Sequence, residues 1–449
     1  MHRVDLKTGE QVFIQPQAPE GGGHERFNWD APIVVSPHNP ATIYFASQRV
    51  WRSDNRGDSW TAISDDLTRN EERITLPIMG KQQSWDNPWD VGAMSIFNSI
   101  TSLSQSPLDE ELIYAGTDDG IIQVTSDGGK NWRKIMVEKL PGVPARAFVN
   151  DIKADLHDVN TVYIALDNHK SGDFQPYLYK SNDKGLTWRS IKGNGKAGIP
   201  DRTLTWRIVQ DHVKSDLLFA ATEHGIYVTL NGGQQWEKLK GAPTISFRDL
   251  AIQKRENDLV GASFGRGFYV LDDYSAMREV TKENLKEEAT LFSTRKAWWY
   301  VPRSIAAVAG ADSYAADNPP FGAVFTYRLS KGYKTKKAAR KKKEKELTKA
   351  GKEIPFEGWD ALEAERRQAK PTIWLTVKDA SGEVIRKIKA PAKKGINRIA
   401  WDLKYASTNP IRPGRTNRGG NRFRGGGALA PPGTYSVSCL LYTSDAADE

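Results

Sequence analysis

Short apolar runs of four or so residues recur along the first 275 residues, with polar turns between them. Ile43-Tyr44-Phe45-Ala46, Ile113-Tyr114-Ala115-Gly116, Val162-Tyr163-Ile164-Ala165 and Leu218-Phe219-Ala220-Ala221 are equivalent. Each is followed by a second run: Val50-Trp51-Arg52, Ile121-Ile122-Gln123-Val124, Tyr177-Leu178-Tyr179-Lys180 and Gly225-Ile226-Tyr227-Val228. Runs this short, bounded by Gly, Asn, Asp and Pro, predict strands. Behind every second run comes the turn Ser/Thr-x-Asp/Asn-x-Gly-x-x-Trp, ending at Trp60, Trp132, Trp188 and Trp236, and then a short outer strand such as Trp132-Arg133-Lys134-Ile135. An earlier strand precedes each unit, as in Ile33-Val34-Val35 and Ile100-Thr101-Ser102-Leu103. Four antiparallel strands repeating every roughly 50 to 70 residues make one propeller blade per repeat. The chain is therefore expected to be all-β.

A fifth unit, Leu259-Val260-Gly261-Ala262 and Gly267-Phe268-Tyr269-Val270-Leu271, has the strands but neither the Gly nor the Trp of the turn. Val4 to Ile14, around Lys7-Thr8-Gly9, reads as half of an earlier hairpin. About five and a half blades are visible, and the propeller, assigned to residues 1–275, is expected to be incomplete at its N-terminal side. Residues 276–302 read as a connector, with Thr281 to Thr290 a short polar helix. Residues 303–438 read as a β-sandwich, with strands at Pro319–Leu329, Ile373–Val377, Val384–Ile388, Gly395–Asp402 and Pro431–Val437. Ile373-Trp374-Leu375-Thr376-Val377 alternates as a half-buried strand should, and Asp379-Ala380-Ser381-Gly382 follows as its turn. A Lys-rich helical insertion interrupts the sandwich at 331–370, with helices expected over Lys334–Ala350 and Trp359–Ala369 and Leu362 as an anchor. The final stretch, 439–449, resembles a translated sequencing-library adapter, and the chain reads as a fragment cut at both ends.

The four turns can be read atom by atom. The third position (Asn55, Asp127, Asp183, Asn231) accepts from backbone amides of its own turn. The glycine (Gly57, Gly129, Gly185, Gly233) permits positive φ. The tryptophan (Trp60, Trp132, Trp188, Trp236) packs between neighbouring sheets. Ser53, Thr125, Ser181 and Thr229 open the motif. All sixteen residues are read as structural. The motif resembles the Asp-box, or BNR repeat, of bacterial neuraminidases, sortilin-type receptors and some glycoside hydrolases. With the Pro-containing connectors Ser36-Pro37-His38-Asn39-Pro40 and Ser106-Pro107-Leu108, the Gly265-Arg266-Gly267 element and the C-terminal domain, the chain is similar to secreted bacterial glycosyl hydrolase or sortilin-like repeat proteins. The C-terminal part resembles an Ig-like sandwich of flagellar-hook-capping type. That resemblance implies a secreted, periplasmic or cell-surface location and an ability to recognise peptide or glycan.

Composition narrows the classes. The 449 residues include 14 Trp and no run of apolar residues long enough for a membrane span. The net charge of +9 is local. Lys331 to Lys370 holds fourteen basic residues against seven acidic ones, and Ile411 to Gly427 adds five arginines and no acid. The remainder is near neutral, which disfavours nucleic acid as the partner. The insertion is read as a solvated hairpin with a possible polyanion contact through 331–370, and the Arg412 to Arg424 segment as a surface loop. One cysteine and seven dispersed histidines give no metal-ligand spacing, and nothing in the pattern calls for a cofactor.

If the motif closes the hairpin between the third and fourth strands, the opposite blade face carries the candidate chemistry. Its connections are long, Ser64 to Gly92 above all. Trp29, Trp85, Trp89, Arg146, Trp206, Arg207, Arg248 and Arg266 are the candidate ligand-binding residues there. The leading expectation is a binding or scaffold propeller. The alternative is a glycoside hydrolase, which requires two carboxylates about 5 Å apart for retention or roughly 6.5–9.5 Å for inversion. Asp30, Asp90, Asp118 and Asp119 are the candidates for that role. A sialidase is disfavoured, because its Phe-Arg-Ile-Pro-type motif is absent.

Overall fold

A computed structural model describes residues 1–18, 20–21, 23–77, 81–82, 84, 86, 97–301, 316–408 and 427–442. The chain divides into two compact units, Met1–Arg278 and Glu279–Glu449.

The first unit is an all-β propeller. Four of its sheets are four-stranded antiparallel meanders. The first blade comprises Ile33–Val35, Ile43–Ala46, Val50–Ser53 and Thr61–Ala62, and the second Ile100–Gln105, Ile113–Thr117, Ile121–Thr125 and Arg133–Met136. Phe148–Ala154, Val162–Asn168, Asp173–Ser181 and Arg189–Ser190 form the third. The fourth holds Thr205–Gln210, Leu218–Thr222, Gly225–Thr229 and Glu237–Lys238. A fifth blade has three strands among the described residues, Phe247–Gln253, Asp258–Ser263 and Phe268–Leu271. His2–Val4 pairs with Gln11–Phe13 ahead of the first blade. First strands of successive blades pack side by side, and the apolar cores lie between blades. Tyr114, Ile122, Val149 and Ile164 fill the junction of blades two and three. Ile191, Ile208, Leu218 and Trp236 belong to the junction of blades three and four.

Each motif turn locks its own geometry and then its neighbour. In the third blade Ser181 Oγ donates to Asp183 Oδ1 at 2.7 Å and accepts from Gly185 N at 2.8 Å, while Thr187 N donates to Asp183 Oδ1 at 2.8 Å. The same bonds form with Asn55, Asp127 and Asn231 in the acceptor position. Hydrogen bonds from the Asn131 side chain and backbone hold the Asp127 carboxyl down at about 2. The glycines have φ of +92°, +99°, +83° and +90°. The residue before each is left-handed too, including Arg56 and Lys184, so two successive residues make the bend.

The tryptophans reach across to the preceding blade. Trp60 Nε1 donates to Ile14 O at 2.7 Å, Trp132 Nε1 to Ile63 O at 3.1 Å and Trp236 Nε1 to Ile191 O at 2.6 Å. Ile14 follows the strand Gln11–Phe13 as Ile63 follows Thr61–Ala62, so the N-terminal hairpin occupies the place of a preceding blade's outer strands. At the junction of blades two and three the contact changes. Trp188 Nε1 donates to Gly185 O within its own turn, and Arg133 instead bonds the carbonyls of Lys184 and Gly185. A crevice of about 410 Å³ opens there, lined by Arg133, Ile135, Lys139, Pro141 and Gly185–Trp188.

The second unit is a β-sandwich with a helical insertion. One sheet runs Ala289–Leu291, Ala323–Leu329, Gly395–Trp401, and the other Val384–Ala390, Thr372–Lys378, Ser436–Tyr442. Their inner faces share a core of Phe325, Tyr327, Leu329, Ile373, Leu375, Val377 and Trp401. Two helices, α1 (Lys336–Lys349) and α2 (Trp359–Arg367), lie in sequence between the strands Ala323–Leu329 and Thr372–Lys378. Leu362 is half-buried. The helix expected over Thr281–Thr290 does not form. That stretch is a run of turns held by Asn284 Oδ1 accepting from Thr281 N and Thr281 Oγ1 accepting from Asn284 N, and it ends in the strand Ala289–Leu291. Short polar side chains bonding nearby backbone compete with helix in this way. Cys439–Tyr442, set aside above as adapter-like, continue the last strand and pair with Thr372–Leu375. The arginine-rich segment 412–424 lies outside the described residues.

The two kinds of blade junction predict different tolerances to a methyl group. A Cβ on Gly129 would lie 2.7 Å from Ile63 O and 2.9 Å from Ile63 Cβ, at a φ of +99°. On Gly185 the nearest atoms, Ile135 Cδ1 and Trp188 Cζ2, are 3.3 Å away. Gly129→Ala should cost about 2–4 kcal/mol from strain and overpacking together, and Gly185→Ala only the left-handed backbone penalty of about 1–2 kcal/mol. Urea unfolding midpoints of the two variants test this, and equal losses would refute the difference between the junctions.

Candidate functional site

Backbone bonds sort the loops of the propeller into two faces. The motif turns bond the connectors between first and second strands, as Gly128 N does to Glu111 O and Gly232 N to Asp216 O. The hairpins between second and third strands bond the entry to a first strand instead: Asp118 N to Ser99 O, Glu223 N to Leu204 O, Phe264 N to Ser246 O. The second face is where the candidate residues gather.

Every first strand from the second blade to the fifth carries a register shift near its start, leaving Thr101, Asn150, Trp206 and Arg248 as the extra residues. Such bulges re-aim a side chain. Thr101 Oγ1 donates to Val149 O at 2.8 Å and Asn150 Nδ2 to Thr205 O at 3.0 Å, each stitching its blade to the next. Trp206 and Arg248 break the series. The Arg248 guanidinium lies 3.6 Å from the Trp206 ring centroid and 5.3 Å from that of Phe264, a stacked cation–aromatic arrangement. Trp206 Nε1 donates to Glu223 Oε2 at 3.1 Å, and Ser246 Oγ donates to the same oxygen. His169 meets Trp206 edge-on at 5.8 Å. Arg207 is held by Asp151 and Asp249, each at 3.4 Å. Burial opposes its charge, but Asp151, Asp249 and Asp30 together keep its pKa raised. Phe264 is exposed, as is Arg266 in the same hairpin, and Trp29 is 89% exposed.

The carboxylates proposed for hydrolysis behave differently from that surface. Asp118 is buried and accepts from Ser99 N at 2.8 Å, Ser99 Oγ at 2.7 Å and Asn28 Nδ2 at 3.1 Å. Burial pushes its carboxyl up to about 7, against the pull of the Ser99 amide and hydroxyl, with the Asp119 charge adding to the rise. Asp119 is also buried. It accepts from Thr117 Oγ1 at 2.5 Å and Arg69 N at 2.7 Å, and burial raises its pKa as well. Arg146 is engaged by Glu71 through two bonds of 2.8 Å. Asp118 lines a cavity of about 180 Å³ with Arg73, Phe97, Phe148, Asp167 and Lys170. Asp30 is exposed, on the loop before the first blade. Asp90, Trp85 and Trp89 lie outside the described residues.

Sequence reading misses Asp167, His169 and Phe264 on this face. Blade alignment was the available signal: Gln48, Asp118, Asp167, Glu223 and Phe264 all stand two residues beyond the second-strand tetrads that define the repeat. Among the described residues there is no group of three His, Cys, Asp or Glu that could hold a metal ion.

No protein-family model and no curated protein matches this chain. Among solved structures it is similar to the GH74 xyloglucanase from Xanthomonas campestris, at 19% identity over 53% of this chain and 36% of that one, with a TM-score of 0.39. It is also similar to the β-propeller domain of Myceliophteria thermophila Cps50 (Swd1), at 14% identity over 58% and 70% of the two chains (TM-score 0.38). YCF48 bound to D1 peptide matches at 18% identity over 39% and 50% (TM-score 0.30). The chain spans little more than a third of the xyloglucanase structure. None of these likenesses carries an activity or a ligand over to this chain.

The raised Asp118 carboxyl has a stability signature. The folded state keeps the proton to about pH 7, whereas an unfolded Asp releases it near pH 4. Its contribution is therefore complete below about pH 4 and lost as pH rises through about 7. Asp118→Asn, which is neutral throughout, should flatten the fall in denaturant midpoint between pH 4 and 8. A variant that keeps the wild-type slope would show that Asp118 is already ionised when folded.

Proposed function

We infer that this propeller is a binding or scaffold module that recognises peptide or glycan on the face opposite the motif turns. One observation carries the reading: the described acids best placed for catalysis spend their oxygens on the protein's own donors, while Arg248, stacked on the buried Trp206 ring with Phe264 nearby, lies at an exposed surface. Aromatic faces with a guanidinium suit sugar rings and peptide groups alike. Arg266 and Trp29 extend the surface in this reading. The motif turns support membership of the Asp-box repeat proteins of glycosyl hydrolase or sortilin-like type. On the same reading the second unit is an Ig-like attachment domain and the protein is extracytoplasmic. Among the described residues no helix is long and apolar enough to cross a membrane.

Glycoside hydrolysis is the second reading, favoured by one feature. Asp118 keeps its proton to about pH 7 and shares a cavity with Asp167, a pairing of an acid with a second carboxyl that hydrolysis uses. Arrays of glycans and peptides probed with the chain, with Trp206→Ala and Arg248→Ala beside it, separate the two. On the binding reading either substitution weakens retention by about tenfold or more, equivalent to roughly 1.4 kcal/mol, and Asp118→Asn leaves it unchanged. Turnover of a glycan that disappears in Asp118→Asn would reverse the ranking.

A further inference from the structure

We propose that the helical hairpin of the second unit docks on the surface of an anionic lipid bilayer. Its charges are sorted by face. Arg340 is neutralised by Glu344 and Glu365, Lys342 by Glu346 and Lys343 by Glu357. Lys337, Lys341, Lys345 and Lys349 are all exposed, and among the described residues none of them forms an ion pair, although the Lys337 charge is felt by Glu365 of α2. Spaced four residues apart, they make one row about 18 Å long. Arg340, which bonds α2, lies beside Lys337 but roughly 100° to 180° around α1 from Lys341, Lys345 and Lys349.

The row ends at an apolar tip. Ile354, Phe356 and Trp359, in the loop and at the start of α2, are 50%, 65% and 78% exposed. Phe356 and Trp359 form an edge-to-face pair at 5.3 Å. They are the only aromatic residues between Lys334 and Lys370, and the hairpin turns both outward while the Arg340–Glu365 ion pair joins its helices. Glu353 and Asp360 are also exposed at the tip, so the attraction comes from the lysine row and the apolar residues supply the hold. Two weak signals, a basic stretch and a small apolar anchor, are what reversible attachment to an anionic membrane requires. A soluble polyanion would use the lysines but has no use for Ile354. A stacking platform for bases or sugars needs open ring faces, and the edge-to-face pair covers one of them.

The test is flotation of the full chain with phosphatidylcholine vesicles, with and without phosphatidylglycerol. Binding should require phosphatidylglycerol and fall with added salt. Charge reversal of Lys337, Lys341, Lys345 and Lys349 to Glu should weaken it at least about tenfold, and so should Phe356→Ser with Trp359→Ser. These side chains are exposed, so thermal unfolding should not change. Failure to bind these vesicles overturns the proposal, as does wild-type affinity in the tip variant. Tighter capture by heparin or a single-stranded oligonucleotide, equally strong in the tip variant, would also overturn it in favour of a soluble polyanion. None of these outcomes bears on the propeller face.

Discussion

A propeller blade cannot bury its own faces, so the fold depends on how each blade grips the next. Here the grip is a glycine and a tryptophan set against one isoleucine. Gly129 leaves room for Ile63, and Trp132 takes the Ile63 carbonyl. Gly57 and Trp60 do the same to Ile14, and Gly233 and Trp236 to Ile191. The hydrogen bond matters because an isoleucine carbonyl buried at a blade junction would otherwise lack a donor, and that deficit costs more than a formed bond gains. The turn's internal bonds serve the same end, since they fix the angle at which the indole leaves the hairpin. Where Trp188 turns inward, Arg133 takes over the bridging and packing loosens into a crevice.

A second grip operates at the centre. Ile152 N donates to Ser102 Oγ at 2.7 Å, Ala154 N to Ser104 Oγ at 3.0 Å and Ile208 N to Asp151 Oδ2 at 3.0 Å. Side chains of one first strand thus satisfy amides of the next, which an antiparallel meander leaves without a ladder partner. The bulge residues extend this stitching as far as Asn150 and then abandon it. Trp206 and Arg248 occupy the same structural position as Thr101 and Asn150, yet they stack on each other. The candidate site is the place where the stitching stops, and it needs no element the other blades lack.

How much of this could be read beforehand follows from the range of each interaction. The motif turns, the strand pairs and both helices of the insertion were legible because their determinants lie within eight or so residues. The bulges were not, because a register shift depends on the partner strand as well as the shifted one. Trp206, Arg207 and Arg248 stand out in the sequence as chemistry-bearing types, but nothing there says that Arg207 is consumed by Asp151 and Asp249 while Arg248 is not. Asp118 and Asp119 looked like a paired acid site. Their partners Asn28, Ser99 and Arg69 come from separate loops, and only folding reveals that both carboxyls are buried and occupied.

Internal repetition supplies the comparison that a single chain otherwise denies. At the end of the second strand, Asp118 is absorbed by Ser99 and Asn28, Asp167 by His169, and Glu223 by Trp206 and Ser246. Each acid is answered by a different donor set, whereas the turns on the other face repeat the same bonds four times. A residue kept for stability should find the same partner in every blade, as Gly57, Gly129 and Gly233 do. Positions that vary in partner while sharing a place in the fold are free to serve recognition. By that criterion the face bearing Trp206, Arg248 and Phe264 is where the blades have diverged, while the four motif turns keep the same internal bonds.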